Sequence, residues 1–238
     1  MTPFDAPSIA PPIAQRLAAL RQRIRASEQQ YARAPGSVQL LAVSKTQPLA
    51  SLREALGAGQ RAFAENYLQE ALDKIAALAA TPDLQWHFIG PIQSNKTRAL
   101  AEHFAWVHTV DRARIAQRLH EQRNPALEPL RVLIQVNVSG EASKSGLSPT
   151  ELPALAEHIA GLSRLRLCGL MCIPAPQPSF ERQRLPFRQL RELRDQLLAA
   201  GHAHCRELSM GMSQDFEAAI AEGATLVRIG TDVFGPRA

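Results

Sequence analysis

Eight short apolar runs, each followed by a stretch with helical spacing, constrain this chain more than any other feature. The runs fall at 38–45, 61–65, 85–90, 106–110, 131–138, 165–173, 205–210 and 226–230. Most lack strict apolar/polar alternation, as expected of strands buried on both faces of a parallel sheet. Between them, helices are expected near 48–58, 67–80, 94–103, 111–123, 149–160, 180–200 and 213–222. Gly57, Gly59, Gly161, Gly201 and Gly223 stand where such helices should stop. Ahead of the first strand, Ile13, Leu17, Leu20 and Ile24 keep helical spacing and predict an extra N-terminal helix within 11–33. This alternation over 238 residues predicts an α/β fold, a (β/α)8 TIM barrel, as one domain over 11–238. A doubly wound open sheet is the alternative. No GxGxxG follows the first strand and no Walker motif occurs, which argues against it. Residues 1–10 are Pro-rich and read as a disordered segment.

Composition narrows the function classes. The formal charge is +5, yet aromatics are only 5% and no Lys/Arg block occurs. A nucleic-acid surface needs a clustered stripe or stacking platforms, so no nucleic acid is expected, whereas a small anion fits. Cys168, Cys172 and Cys205 form no CxxC, and their odd number argues against a disulfide framework or a metal site. Cys168 and Cys172, four apart in one strand, are expected to share a face. No apolar run reaches membrane-spanning length, and residues 1–12 lack the basic start and apolar core of a signal peptide. A reduced, cytoplasmic chain that binds no membrane is expected.

In a barrel, chemistry sits at the C-terminal ends of the strands. Those ends read Lys45; Glu65-Asn66; His87 to Gly90; His108-Thr109; Asn137; Met171; Ser209; and Arg228-Ile229-Gly230-Thr231. A Lys and an Arg at a buried mouth need partners or a ligand. Lys45 carries most weight. It closes the run Leu40-Leu41-Ala42-Val43-Ser44, and the chain has only four lysines among 27 basic residues. A strand that ends on Lys holds a primary amine rigidly, as Schiff-base formation with an aldehyde requires. Arg cannot play that part. A solvated Lys after a strand is the plain alternative. Ser209-Met210-Gly211-Met212-Ser213 joins a strand to a helix, so Ser213 reads as an N-cap or as a phosphate ligand at a helix N-terminus. Gly230 and Thr231 could donate to the same phosphate. His87, inside a strand, reads as a hydrogen-bonded core histidine. The Gly/Ser-rich segment 139–146 places a second lysine, Lys144, at the mouth.

Seven segments then occur in an order that resembles one family. They are Leu41-Ala42-Val43-Ser44-Lys45-Thr46, Glu65-Asn66-Tyr67-x-Gln69-Glu70, Trp86-His87-Phe88-Ile89-Gly90-x-Ile92-Gln93-Ser94-Asn95-Lys96, Ser143-Lys144-Ser145-Gly146, Gly169-Leu170-Met171, Leu208 to Ser213, and Val227 to Thr231. Together they resemble the pyridoxal phosphate homeostasis protein family, from about residue 12 to the C-terminus. Gln47 stands where relatives can carry Lys.

The resemblance implies a PLP fold-type III barrel, like the N-terminal domain of alanine racemase, with pyridoxal 5'-phosphate (PLP) as cofactor. It implies Lys45 as the Schiff-base lysine, and Ser209, Ser213, Gly230 and Thr231 at the phosphate. Arg228 would partner the pyridine nitrogen, Asn66 and Met171 would line the pocket, and Lys144 would be a secondary lysine. The implied function is vitamin B6 homeostasis without turnover, in which PLP is held reversibly and buffered or delivered to apo PLP-dependent enzymes. The alternative is a PLP-dependent amino-acid racemase. That chemistry needs an opposing base, often a Tyr from a second domain or subunit. No second domain is expected after Ala238, and neither Tyr31 nor Tyr67 is well placed. A monomer is expected.

Overall fold

Apolar strands with both faces to bury must pair edge to edge and take cover from helices, and a closed ring meets both needs. The computed structural model describes residues 11–140 and 145–236. The expected disorder of 1–10, and Lys144, lie outside the described residues. Eight parallel strands close in sequence order, and β1 (Gln39–Val43) pairs with β8 (Leu226–Ile229). The others are β2 (Ala62–Glu65), β3 (Gln85–Phe88), β4 (Trp106–Val110), β5 (Leu130–Gln135), β6 (Leu165–Met171) and β7 (Glu207–Ser209). Helices α2 (Leu49–Gly57), α3 (Leu68–Ala77), α4 (Thr97–His103), α5 (Ala113–Gln122), α6 (Leu152–Ala160), α7 (Phe180–Ala199) and α8 (Phe216–Ala221) follow the strands. The fold is the (β/α)8 barrel that the alternation predicts.

The extra helix is α1 (Ile13–Gln30), and it packs beside α2 and α8. Its apolar stripe, Ile13, Leu17, Leu20 and Ile24, is buried, worth about 1.5–3 kcal/mol for each fully covered side chain. Pro12 offers no capping side chain, so Glu54 supplies the cap from α2, accepting from the Ile13 N–H at 2.8 Å. Buried Glu28 ties the helix to β1 by accepting from the N–H groups of Val38 (2.8 Å) and Gly36 (3.0 Å).

Two apolar clusters result. One lies between strands and helices; the other fills the barrel with Leu41, Ala62, Ala64, Trp106, Leu133, Cys168, Met171 and Leu226. Cys168 and Cys172 fall in different clusters, against the expectation that they share a face. The cause is a register shift: Val132 pairs with Leu167 but Leu133 with Gly169, so one residue of β6 drops out of the alternation. Gly169 is required there, because a Cβ would collide with the Glu207 carbonyl of β7.

Several boundaries differ from the periodicity. β7 spans three residues rather than 205–210, and β3 stops at Phe88. A short helix, α9 (Thr231–Phe234), follows β8 directly and packs on α1. A four-residue helix is too short to leave a periodic signature.

Candidate functional site

Period-2 alternation along β1 decides where Lys45 goes. Leu41 and Val43 face the barrel interior, whereas Ser44 turns outward toward β2 and α3. Lys45 therefore rises above Val43 at the C-terminal mouth. A cavity of about 310 Å³ opens there, lined by both residues. Lys45, Asn66, Ser213, Arg228, Gly230 and Thr231 all reach its wall, from β1, β2, the β7–α8 turn and the end of β8. Ile89 and Ile173 supply apolar surface. Gln47 lines the wall as well.

Met171 and Ser209 do not reach it, which corrects the expectation that one would line the pocket and the other hold phosphate. Met171 is wholly buried in the interior cluster. Ser209 is also wholly buried, one layer below the mouth, level with Leu226 of β8. There its Oγ accepts from Arg228 Nη1 at 2.8 Å and meets His108 Nδ1 at 2.9 Å. His108 Nε2 in turn meets His87 Nδ1 at 3.0 Å. A polar layer thus crosses the barrel beneath the cavity from β8 to β3. His87 is the hydrogen-bonded core histidine that its position predicts.

Burial makes that layer electrically simple. Desolvation, with Arg131 nearby, pushes His87 down to about 3. Desolvation, then His87 and Arg228, holds His108 well below its ordinary value. Both imidazoles are neutral at pH 7. Burial lowers the Arg228 pKa too, but a guanidinium keeps its proton. Arg228 is anchored a second time, Nη2 donating to the Cys172 carbonyl at 2.9 Å. One fixed positive charge therefore sits under the cavity with neutral neighbours in its layer.

The wall built from the β7–α8 turn and the end of β8 is rich in backbone donors. Ser213, Gln214, Gly230 and Thr231 line the cavity, and among the described residues none of their N–H groups donates to a backbone carbonyl. Gly230 lets this wall close on β1, since a Cβ would stand 3.2 Å from the Val43 carbonyl. Ser213 is not the helix cap that its sequence suggests. Helix α8 begins at Phe216 with Asp215 at the cap position, and Ser213 lies in the turn before it. Asp215 Oδ1 accepts from the Met212 N–H at 2.6 Å, which directs the carboxylate back onto its own turn. Burial raises its pKa.

Asn66 provides a direct test of fit for a ligand. Its Oδ1 is buried at the cavity without a hydrogen-bond partner, a position that favours a polar group from outside the protein. Gly90 packs closely against its backbone, because a Cβ at residue 90 would collide with the Asn66 carbonyl. A primary amine, a fixed guanidinium, undonated N–H groups and an orphaned amide oxygen fit PLP, which carries an aldehyde, a ring nitrogen, a hydroxyl and a phosphate.

Around Lys45 the structure shows residues that sequence reasoning missed. Thr46 has φ 61°, a left-handed conformation that costs a β-branched residue about 1–3 kcal/mol. Lys74 of α3 lies buried beside this turn. Its Nζ donates to the Ser44 carbonyl (2.6 Å), Glu65 Oε1 (2.8 Å) and Glu70 Oε1 (2.5 Å). Glu65 also accepts from Ser44 Oγ at 2.6 Å, and Glu70 from the Thr46 N–H at 2.6 Å. Burial raises the Glu65 pKa, against the pull of Lys74 and Ser44. One signal was available: Leu68, Ala71 and Lys74 follow at intervals of three, which puts the lysine on the buried stripe of α3.

Comparison with known proteins points the same way. A family model described as "Alanine racemase, N-terminal domain" matches residues 15–238. Among curated relatives, the pyridoxal phosphate homeostasis protein of Pseudomonas aeruginosa is 60% identical over 225 residues, covering 94% of this chain and 96% of its own length. The Escherichia coli protein of the same name is 52% identical over 227 residues, covering 94% and 97%. Among solved structures, PipY of Synechococcus elongatus with PLP bound superposes with a TM-score of 0.82 at 40% identity, over 94% of this chain and 100% of that one. Alanine racemase from Corynebacterium glutamicum shares the fold alone, at 19% identity and a TM-score of 0.63, over 93% of this chain and 61% of that one.

Proposed function

This chain belongs to the alanine racemase N-terminal domain family, among its pyridoxal phosphate homeostasis proteins, and from that membership we propose that it holds PLP reversibly through Lys45 to serve vitamin B6 homeostasis. The observation that carries the reading is the meeting of Lys45, buried Arg228 and the undonated N–H groups of Ser213, Gly230 and Thr231 around one cavity. The PLP-bound relative supports it.

Bound PLP supplies an aldehyde that condenses reversibly with a primary amine. Lys45 provides that amine from the end of a strand, where rigidity lowers the cost of orienting it. Ser213, Gly230 and Thr231 would hold the phosphate with N–H and hydroxyl donors, and Asn66 would bond a polar substituent of the ring. Arg228 would face the ring nitrogen and keep it unprotonated, since a second positive charge beside a guanidinium is disfavoured. An unprotonated ring is a weak electron sink, so carbanion chemistry is discouraged.

The same residues speak for storage and delivery without turnover. Racemisation needs an opposing base. Tyr67 is 55% exposed and Tyr31 stacks on Phe180 with ring centroids 6.1 Å apart; neither lines the cavity. Asp215, the carboxylate on the wall, is engaged by the Met212 N–H. Recipients on this reading are apo PLP-dependent enzymes, and the protein works as a monomer in a reducing, cytoplasmic compartment. Its buried free cysteines agree with such a compartment.

The test is the visible spectrum of the purified protein with added PLP, repeated on Lys45→Ala, with an amino-acid racemisation assay on the same samples. A PLP band that disappears in Lys45→Ala, without turnover, is the expected result. Turnover together with the band would make the protein an enzyme. No band in the wild type would leave only a shared fold.

A further inference from the structure

An ammonium group has three protons to give, and Lys74 gives each to a different acceptor: the Ser44 carbonyl, Glu65 and Glu70. Two of the grips in this cluster fall on the backbone immediately either side of Lys45. Lys74 holds the carbonyl of Ser44 before it, and Glu70 holds the N–H of Thr46 after it. At the second grip Thr46 is left-handed, a conformation that a threonine keeps only when its surroundings enforce it.

We propose that Lys74, Glu65 and Glu70 are positioning residues that clamp the Lys45 turn, so that the PLP-free protein already presents its amine and the loaded protein releases PLP slowly. The proposal rests on the functional reading of Lys45 given above. None of the three lines the cavity, so they act through the backbone of Lys45 and not by touching PLP. The cluster also joins the two strand ends that reach the cavity side by side. Glu65 accepts from Ser44 Oγ of the β1 end, and Asn66 follows Glu65 in the chain. A shift of the clamp would therefore move Lys45 and Asn66 together. Arg could not replace Lys74, because a planar fork does not reach three acceptors arranged around a tetrahedral nitrogen.

A plain staple between α3 and the barrel would use the same ion pairs, so the variants must separate stability from position. Glu70 is on the rim, with its side chain 29% exposed, and Glu70→Ala removes the grip on Thr46 while Lys74 keeps Glu65. Glu70→Gln retains an oxygen for the Thr46 N–H. Lys74→Met alone would strand a buried carboxylate, so Lys74→Met is paired with Glu65→Gln to keep the interior neutral.

Three quantities are measured on the full chain: urea unfolding, hydrogen exchange of the Thr46 amide without PLP, and loss of the visible PLP band when loaded protein is diluted into a phosphatase that consumes free PLP. Glu70→Ala and the double variant are expected to exchange Thr46 faster and to release PLP roughly ten- to a hundred-fold faster, with the band position unchanged. Glu70→Gln is expected to recover most of the loss. Wild-type exchange and release in Glu70→Ala and the double variant would overturn the proposal, as would release that follows the urea midpoint with no benefit from Glu70→Gln. A wild type without a Lys45-dependent band would sink the functional reading alone. Thr46 exchange would then decide the clamp by the same rule.

Discussion

Ser209 shows how much one residue of depth changes a role. At the end of β7 it looks like a phosphate ligand, but its hydroxyl lies below the cavity between Arg228 and His108. Removing it should therefore act on the fold first. Ser209→Ala leaves an Arg228 N–H and a His108 nitrogen buried without their partner, and is expected to cost about 1–3 kcal/mol in urea unfolding. PLP affinity should weaken with it as Arg228 loosens. Ser213→Ala, in a half-buried turn on the cavity wall, should weaken PLP binding and leave the unfolding curve in place. Titration with PLP beside urea melts separates the two. Loss of affinity in Ser209→Ala with unchanged stability would return Ser209 to the phosphate. Chemistry-bearing residues at strand ends were legible in the sequence: Lys45, Asn66, Arg228, Gly230 and Thr231 stand where they were expected. Depth was not, because whether a strand-end side chain meets the cavity or the layer beneath depends on register, as Met171 and Ser209 show.

At the scale of elements, close backbone approach sets the shape of the mouth. Gly90, just past β3, lies against the Asn66 carbonyl just past β2, and no side chain fits between them. Gly90→Ala must push the two chain segments apart. It is expected to cost more than about 2 kcal/mol and to abolish PLP retention together with the Asn66 contact. Gly36→Ala is the control. Its φ of 75° imposes strain, but nothing lies within 4 Å of the added methyl, so it should cost about 1 kcal/mol and leave PLP binding intact. Equal effects on binding would refute the argument from contact. Element order and type follow from apolar runs and helix stops, which are local. The boundaries that differ are those set by distant partners. β7 is confined by its register with β6 and β8, and α8 starts late, at Phe216, because the turn before it is held by the Asp215 carboxylate accepting from the Met212 N–H.

For the whole molecule, acid sensitivity is where the interior polar layer should show itself. His87 and His108 are held neutral in the fold, His87 at about 3, while an unfolded chain binds their protons near pH 6.5. Their folded pKa values are depressed, so stability is complete above pH 6.5 and falls as the pH drops below it. Each histidine contributes a slope of about 1.4 kcal/mol per pH unit, continuing for His87 toward pH 3. Glu222, fully buried against Arg184, Arg188 and Arg191, has a lowered pKa and adds its loss only below the ordinary carboxylate value of 4.5. Glu65 works the other way: its pKa is raised, the folded protein takes up its proton more readily, and acidification is partly offset. Asp215, whose pKa burial also raises, acts in the same direction as Glu65, so the interval from pH 6.5 to 4.5 reports on the two histidines, less the contributions of those two carboxylates. Urea midpoints at pH 7.5, 6.5 and 5.5 should fall below pH 6.5 in the wild type. His87→Phe, whose ring can still stack on Trp106 as the imidazole does, should flatten the slope by about 1.4 kcal/mol per unit, the share of one histidine. An unchanged slope would mean that His87 takes a proton inside the barrel. The polar layer beneath the cavity would then carry a second charge, and Arg228 would no longer be its single positive group.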